Sequence, residues 1–240
     1  MAKNILVVSA HAADFVWRAG GTMAKYIKRG DNVSLVVLSY GVRGESNHLW
    51  KLEGQTSENV KRIRREESEK AAKILGISDY EYWDFQDYPI EIDDNRMERM
   101  VRKIREVKPD IIITHSQSDA FNPDHEIVSD YVWKASVYGV SAGVRIDGLE
   151  NIKQPKIFGF EHHQTEISSF VPDTIIDITD TFDTKVEAMK CFQAQKHLID
   201  YYTDRGKMRG NHARRISGNK EYQYAETFTR RYPYVGEELL

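Results

Sequence analysis

Six apolar runs of strand length mark the chain: Ile5 to Ser9, Val33 to Leu38, Tyr80 to Phe85, Ile111 to Thr114, Lys156 to Phe160 and Thr174 to Ile178. Several are unbroken rather than alternating, the pattern of strands covered on both faces. Between the first five lie segments of helical period, Gly20 to Arg29, Asn59 to Leu75, Met97 to Val107 and Asp124 to Tyr138, punctuated by Gly30, Gly76 and Pro109. Strand and helix in alternation predict an α/β fold, a Rossmann-like doubly wound, mostly parallel sheet with helices on both faces. After Phe160 the pattern changes to one more strand, a helix from Phe182 to about His197, and a charged, aromatic tail. No linker, repeat or low-complexity tract interrupts it, so residues 1–240 are expected to form one domain.

Composition narrows the function classes. The chain is 30% charged and 40% hydrophobic, with no apolar run long enough to span a bilayer and no signal-peptide pattern at Met1-Ala2-Lys3-Asn4, so a cytoplasmic protein without a membrane partner is expected. A net charge of -3 argues against a nucleic-acid partner. The single cysteine, Cys191, excludes an intramolecular disulfide and reads as a small core residue. Charge gathers locally in the tail, where Arg205, Lys207, Arg209, Arg214 and Arg215 are interleaved with glycines and a histidine. Such a run is usually a solvated face, but it also suits a loop that clamps anionic groups.

In a doubly wound sheet the ligand crevice lies beyond the carboxyl ends of the strands. His11 and Asp14 follow the first strand; Tyr40, Arg43 and Glu45 follow the second; His115, Asp119, Asn122, Asp124 and His125 follow the fourth; Glu161, His162 and His163 follow the fifth. An isolated H-x-x-D is weak, but Asn122-Pro123-Asp124-His125 stands at the mouth of a helix, where His125 can project back into the crevice with Asp124 orienting it. Two histidines and a carboxylate from two loops, with positions left open, suit a catalytic zinc site; the same set accepts iron, manganese or cobalt. His115 reads as a support for its loop, while His48, His197 and His212 read as ordinary surface or tail residues. Trp17, Trp50, Trp83 and Trp133 read as core or interface aromatics, and Gly20-Gly21 is a weak phosphate-cradle signal.

Three stretches carry a resemblance: "VVSAHAADFVWRAGGT", "RREESEKAAKILG" and "THSQSDAFNPDH". With the ending "YAETF", they resemble the PIG-L/LmbE family of zinc-dependent N-acetyl-sugar deacetylases over nearly the whole chain, with its H-P-D-D-E, R-x-x-E-x-x-x-A-x-x-x-L-G and H-P-D-H motifs. The resemblance implies an LmbE-like fold and zinc ligands at His11, Asp14 and His125. It also exposes departures. Ala13 stands where the deacetylases keep their general base, Ala12 where they have proline and Phe15 where they have glutamate; Asn122 replaces the histidine that stabilises the oxyanion. An alanine cannot move a proton, and losing a general base commonly costs about 10² to 10⁴ in rate.

A narrower resemblance accounts for the departures. "HAADFVWRAGG", "LSYGVRGESNHLW" and "FEHHQTE" are similar to the 4-oxalomesaconate hydratase branch of the fold, lyases of aromatic-acid breakdown that add water to a small unsaturated oxo-tricarboxylate. That resemblance implies a small anionic substrate, a metal to polarise its oxo-acid end, and proton carriers off the metal. Glu45 and His163 are the expected carriers. Glu45 also reads as a loop or capping residue, and one of His162 and His163 is expected to be packed or supporting, with His163 preferred in the site. Arg18 and Arg43, with Arg209 and Arg214 or Arg215, are expected to hold substrate carboxylates. Two alternatives stand beside the hydratase: a deacetylase in which Glu45 or a histidine replaces the lost aspartate, and a silent metal- or ligand-binding protein. The aromatic tail is suited to pack on a second copy, which leaves a homo-oligomer open.

Overall fold

The unbroken apolar strands divide residue by residue between two cores. In β1 (Asn4–Ser9), Ile5 and Val7 face one layer of helices while Leu6 and Val8 face the other; β2 (Asn32–Ser39) splits Leu35 and Val37 from Val36 and Leu38 in the same way. Period-two alternation in a strand buried on both sides requires an apolar residue at every position. The computed structural model describes residues 2–238. The first core receives α1 (Asp14–Lys28), α3 (Ser57–Ile74), and the later helices α6 (Phe182–Met189) and α7 (Leu198–Ser217). The second receives α4 (Asp94–Val107) and α5 (Pro123–Val140). A short α2 (Asn47–Trp50) follows the second strand.

With β3 (Asp79–Phe85), β4 (Ile111–Thr114), β5 (Lys156–Phe160), β6 (Thr174–Asp177) and β7 (Ala225–Arg230), the sheet has the order β3-β2-β1-β4-β5-β7-β6. The first five strands are parallel, and β7 runs antiparallel between β5 and β6. This is the expected doubly wound α/β architecture. Strand order reverses between β1 and β4, so the crevice opens beyond their carboxyl ends, where His11 and His125 lie. No helix among the described residues is long and apolar enough to cross a membrane.

Four elements depart from the sequence reading. Helix α1 begins at Asp14 rather than Gly20, because the Asp14 carboxylate accepts the His11 N–H at 2.8 Å and closes the strand-to-helix turn. The Gly20-Gly21 pair therefore lies inside a helix rather than at a phosphate-binding start. A Cβ on Gly21 would stand 2.5 Å from Ile178, so the glycine serves close packing. The helix expected to reach His197 stops at Met189, and a single tight turn, Gln193–Gln195, follows. The tail is not a loop: residues 198–217 form α7, and β7 emerges from the stretch read only as a familiar ending. Its Glu226 is buried in the sheet, satisfied by Lys185 at 2.7 Å and by the Gly21 and Thr22 N–H groups.

Candidate functional site

His11 lies in the turn after β1, Asp14 opens α1, and His125 projects from the first turn of α5. All three are buried, and one ligand atom from each lies within 4.8 Å of the others. Asp14 Oδ2 is 3.3 Å from His11 Nδ1 and 3.4 Å from His125 Nε2. Those two nitrogens have no hydrogen-bond partner, although buried polar atoms nearly always have one. A tetrahedral centre with bonds of about 2.0–2.1 Å needs ligand atoms about 3.3 Å apart, so these donors fit a divalent metal with a coordination position left over.

The opposite ring nitrogens are occupied by carboxylates. His11 Nε2 lies 3.1 Å from Asp124 Oδ2, and His125 Nδ1 lies 2.8 Å from Asp119 Oδ2. A carboxylate holding one ring N–H turns the other nitrogen's lone pair toward the cluster. This corrects the expected pairing: Asp124 orients His11, and Asp119 orients His125. Asp124 is pinned in turn by the Tyr88 and Ile90 N–H groups at 3.0 and 2.8 Å. Burial opposes charge on His11, but Asp124, Asp14 and Glu45 outweigh it and raise its pKa to about 10. The acids thus favour positive charge in the space they enclose. Burial also resists charge on Asp119, yet His125 and Arg18 bring it down to about 2.

His115 lies outside the cluster. It accepts the Ala10 N–H at 3.0 Å and stacks on His125 with ring centroids 4.0 Å apart, and burial drives its pKa well down. Ala13 is 2% exposed and offers a methyl group between the two ligands of the first loop. A cavity of about 240 Å³ opens over the cluster, lined among others by Asp14, Arg18, Glu45, Asn122, His163 and Tyr202. Glu45 Oε1 comes within 3.8 Å of His11 Nδ1. Its loop is pinned where Gly44 donates to Asp87 at 2.7 Å, and a Cβ there would stand 2.1 Å from the Tyr88 ring. Asn122, the residue before α5, leaves the helix end uncapped by its side chain and donates to Glu45 Oε1 at 2.8 Å instead. A forgone cap costs about 1 kcal/mol.

His163 lines this cavity, while His162 is buried against Phe170. Burial lowers both pKa values to about 4, so both rest neutral at pH 7. Of the five arginines, only Arg18 reaches the cavity, 3.6 Å from Asp14 Oδ1 and 3.2 Å from His125 Nδ1. The expectation for the other four is corrected. Arg43 is exposed and engaged with Asp87; Arg209 is spent on buried Glu161; Arg214 donates to the Tyr222 carbonyl at 2.7 Å; Arg215 is exposed on α7. At about 100° per residue, a helix sends these side chains in different directions rather than into one clamp. His48 and His197, read as surface residues, are exposed but line the cavity mouth, and Gln195, Tyr88 and Tyr202 join them without any motif to announce them.

A family profile described as PIG-L: GlcNAc-PI de-N-acetylase matches residues 6–136. The chain belongs to the PIG-L family. Within it, the chain is 39% identical to 4-oxalmesaconate hydratase of Pseudomonas putida over 99% of its own length and 92% of the relative's. The crystal structure of GalB, the 4-carboxy-2-hydroxymuconate hydratase from Pseudomonas putida KT2440, superposes with a TM-score of 0.95 at 38% identity, covering 99% of this chain and 100% of that one. N,N'-diacetylchitobiose deacetylase from Pyrococcus horikoshii shares the fold at a TM-score of 0.79 and 21% identity, covering 95% and 84%. The PIG-L fold of this chain therefore sits far nearer to these hydratases than to that deacetylase.

Proposed function

We propose that this PIG-L protein is a metal-dependent hydratase that adds water to a small unsaturated oxo-polycarboxylate of the 4-oxalmesaconate type, with His11, Asp14 and His125 holding the metal and zinc as the first choice. The observation that carries the reading is Ala13. It leaves no proton acceptor where the deacetylases keep their base, in a chain whose near-full-length likeness is to hydratases. A bound divalent ion supplies Lewis acidity toward the oxo-acid end of the substrate.

Glu45, beside the cluster, takes a proton from the adding water as its oxygen bonds to one alkene carbon. His163, neutral at rest and half-exposed, passes a proton from the cavity mouth to the other carbon. Arg18 holds a substrate carboxylate next to Asp14. The four peripheral arginines have no part. With metal-loaded protein, loss of the conjugated absorbance of 4-oxalmesaconate tests the reading. Glu45→Gln is expected to slow it by about 10² to 10⁴ with the metal retained, and unchanged turnover would remove Glu45 from the mechanism.

A further inference from the structure

Arg64, the arginine of the R-x-x-E motif in α3, is fully buried and has no place in the chemistry above. Its guanidinium pairs with Glu67 Oε2 at 2.9 Å, donates to the Tyr40 carbonyl at 3.4 Å, and donates to Gln195 Oε1 at 3.0 Å. Glu67 uses its other oxygen to accept the Ala194 N–H at 3.1 Å. The pair therefore grips the Gln193–Gln195 turn through both a backbone and a side-chain contact.

Arginine only donates, so the Gln195 amide must present its oxygen to Arg64 and its NH2 group to the opposite side. There it donates to Glu45 Oε2 at 2.8 Å, while Asn122 donates to Oε1 at 2.8 Å. Each carboxylate oxygen is thus claimed by one amide, which stops rotation about the terminal torsion and holds Glu45 beside the metal cluster before substrate arrives. Arg64 gives Nε to the Tyr40 carbonyl, Nη1 to Glu67 and Nη2 to Gln195, so the fully buried guanidinium needs the Gln195 oxygen and fixes which way the amide faces.

We propose that Gln195 is a positioning residue for Glu45 and that the buried Arg64–Glu67 pair sets the orientation of its amide. The proposal rests on the role given to Glu45 above. Its test uses the metal-loaded full chain, 4-oxalmesaconate as substrate, and Gln195→Met and Gln195→Glu beside Glu45→Gln. Gln195→Glu keeps an acceptor for Arg64, hence the turn, but turns an acceptor toward Glu45. A misplaced group can cost about 10²-fold, so both Gln195 variants are expected to lose about 10- to 100-fold in kcat with KM within about twofold. Gln195→Met leaves buried Arg64 Nη2 unpaired and is expected to melt lower, whereas Gln195→Glu keeps that acceptor and separates loss of kcat from loss of the turn. Adding Arg64→Lys to Gln195→Met is expected to cost no further kcat.

Wild-type kcat in a folded Gln195 variant, while Glu45→Gln is disabled, would overturn the positioning role and leave the hydratase reading intact. If Glu45→Gln is itself fully active, the role given to Glu45 fails while the hydratase reading stands; if no hydration occurs, the hydratase reading fails. Crystal structures of both Gln195 variants then decide the positioning alone: Glu45 released from Asn122 supports it, and Glu45 held as before overturns it.

Discussion

The two walls of the cavity are built differently. One wall comes from the β1–α1 and β4–α5 connections, where His11, Asp14, Asp119 and His125 are all buried and both histidines are braced by a neighbouring carboxylate. The other comes from the half-buried Glu45 and His163 with the 193–195 turn and the start of α7, joined by side-chain contacts such as Glu45 to Gln195 and His163 to Tyr202. The first wall has the rigidity a metal needs. The second joins separate elements around a space for substrate.

Breaking the first wall is expected to have the largest effect. Asp14→Ala should lose the metal, measured by elemental analysis, and with it at least about 10³-fold in hydration, because the ion supplies several kcal/mol of transition-state stabilisation. Full activity without metal would dissolve the distinction between the walls. Asp119→Asn and Asp124→Asn, which keep shape but weaken the brace, should lower metal affinity by about 10- to 100-fold in a competition titration with a chelator. Affinity that is unchanged in either variant would show that histidine's geometry does not depend on that carboxylate.

A smaller, pH-dependent effect belongs to the second wall. His162 and His163 titrate near 6.5 when unfolded and at about 4 in the fold, so the folded chain binds fewer protons between those values. Their contribution to stability is present above pH 6.5 and is lost as pH falls toward 4. Thermal melts should show this decline, with a shallower slope in His162→Asn and His163→Asn. An identical slope would mean that these rings are hydrated in solution. The smallest effect is expected from Arg43→Ala and Arg215→Ala, whose KM should stay within about twofold of wild type, as for ordinary surface changes of about 0.5 kcal/mol. A tenfold rise in either would bring that arginine into the cavity.

What could be read from the chain follows the same division. The five parallel strands, and the grouping of His11, Asp14 and His125, were legible because each rests on residues close in sequence: an apolar run, an H-x-x-D, an N-P-D-H. β7 was not, because a strand carrying Glu226 depends on Lys185 and the α1 N–H groups to neutralise it, and no local pattern reveals that partner. Arg209 and Arg214 looked like a clamp in one dimension and diverge once wound into α7. Asp119 and Asp124 were both visible, but which histidine each serves is decided by how the β4–α5 loop folds back over β1. Gln195 gave no signal at all; its meaning comes from Arg64 on one side and Glu45 on the other.

Hydration in place of amide hydrolysis is what sets this PIG-L chain apart from its deacetylase relatives in the function proposed. The most direct measurement sets zinc-loaded protein against 4-oxalmesaconate, followed by loss of its conjugated absorbance, and in parallel against N-acetylglucosamine, followed by acetate release. Metal-dependent loss of absorbance with no acetate is expected. Acetate release without hydration would contradict it.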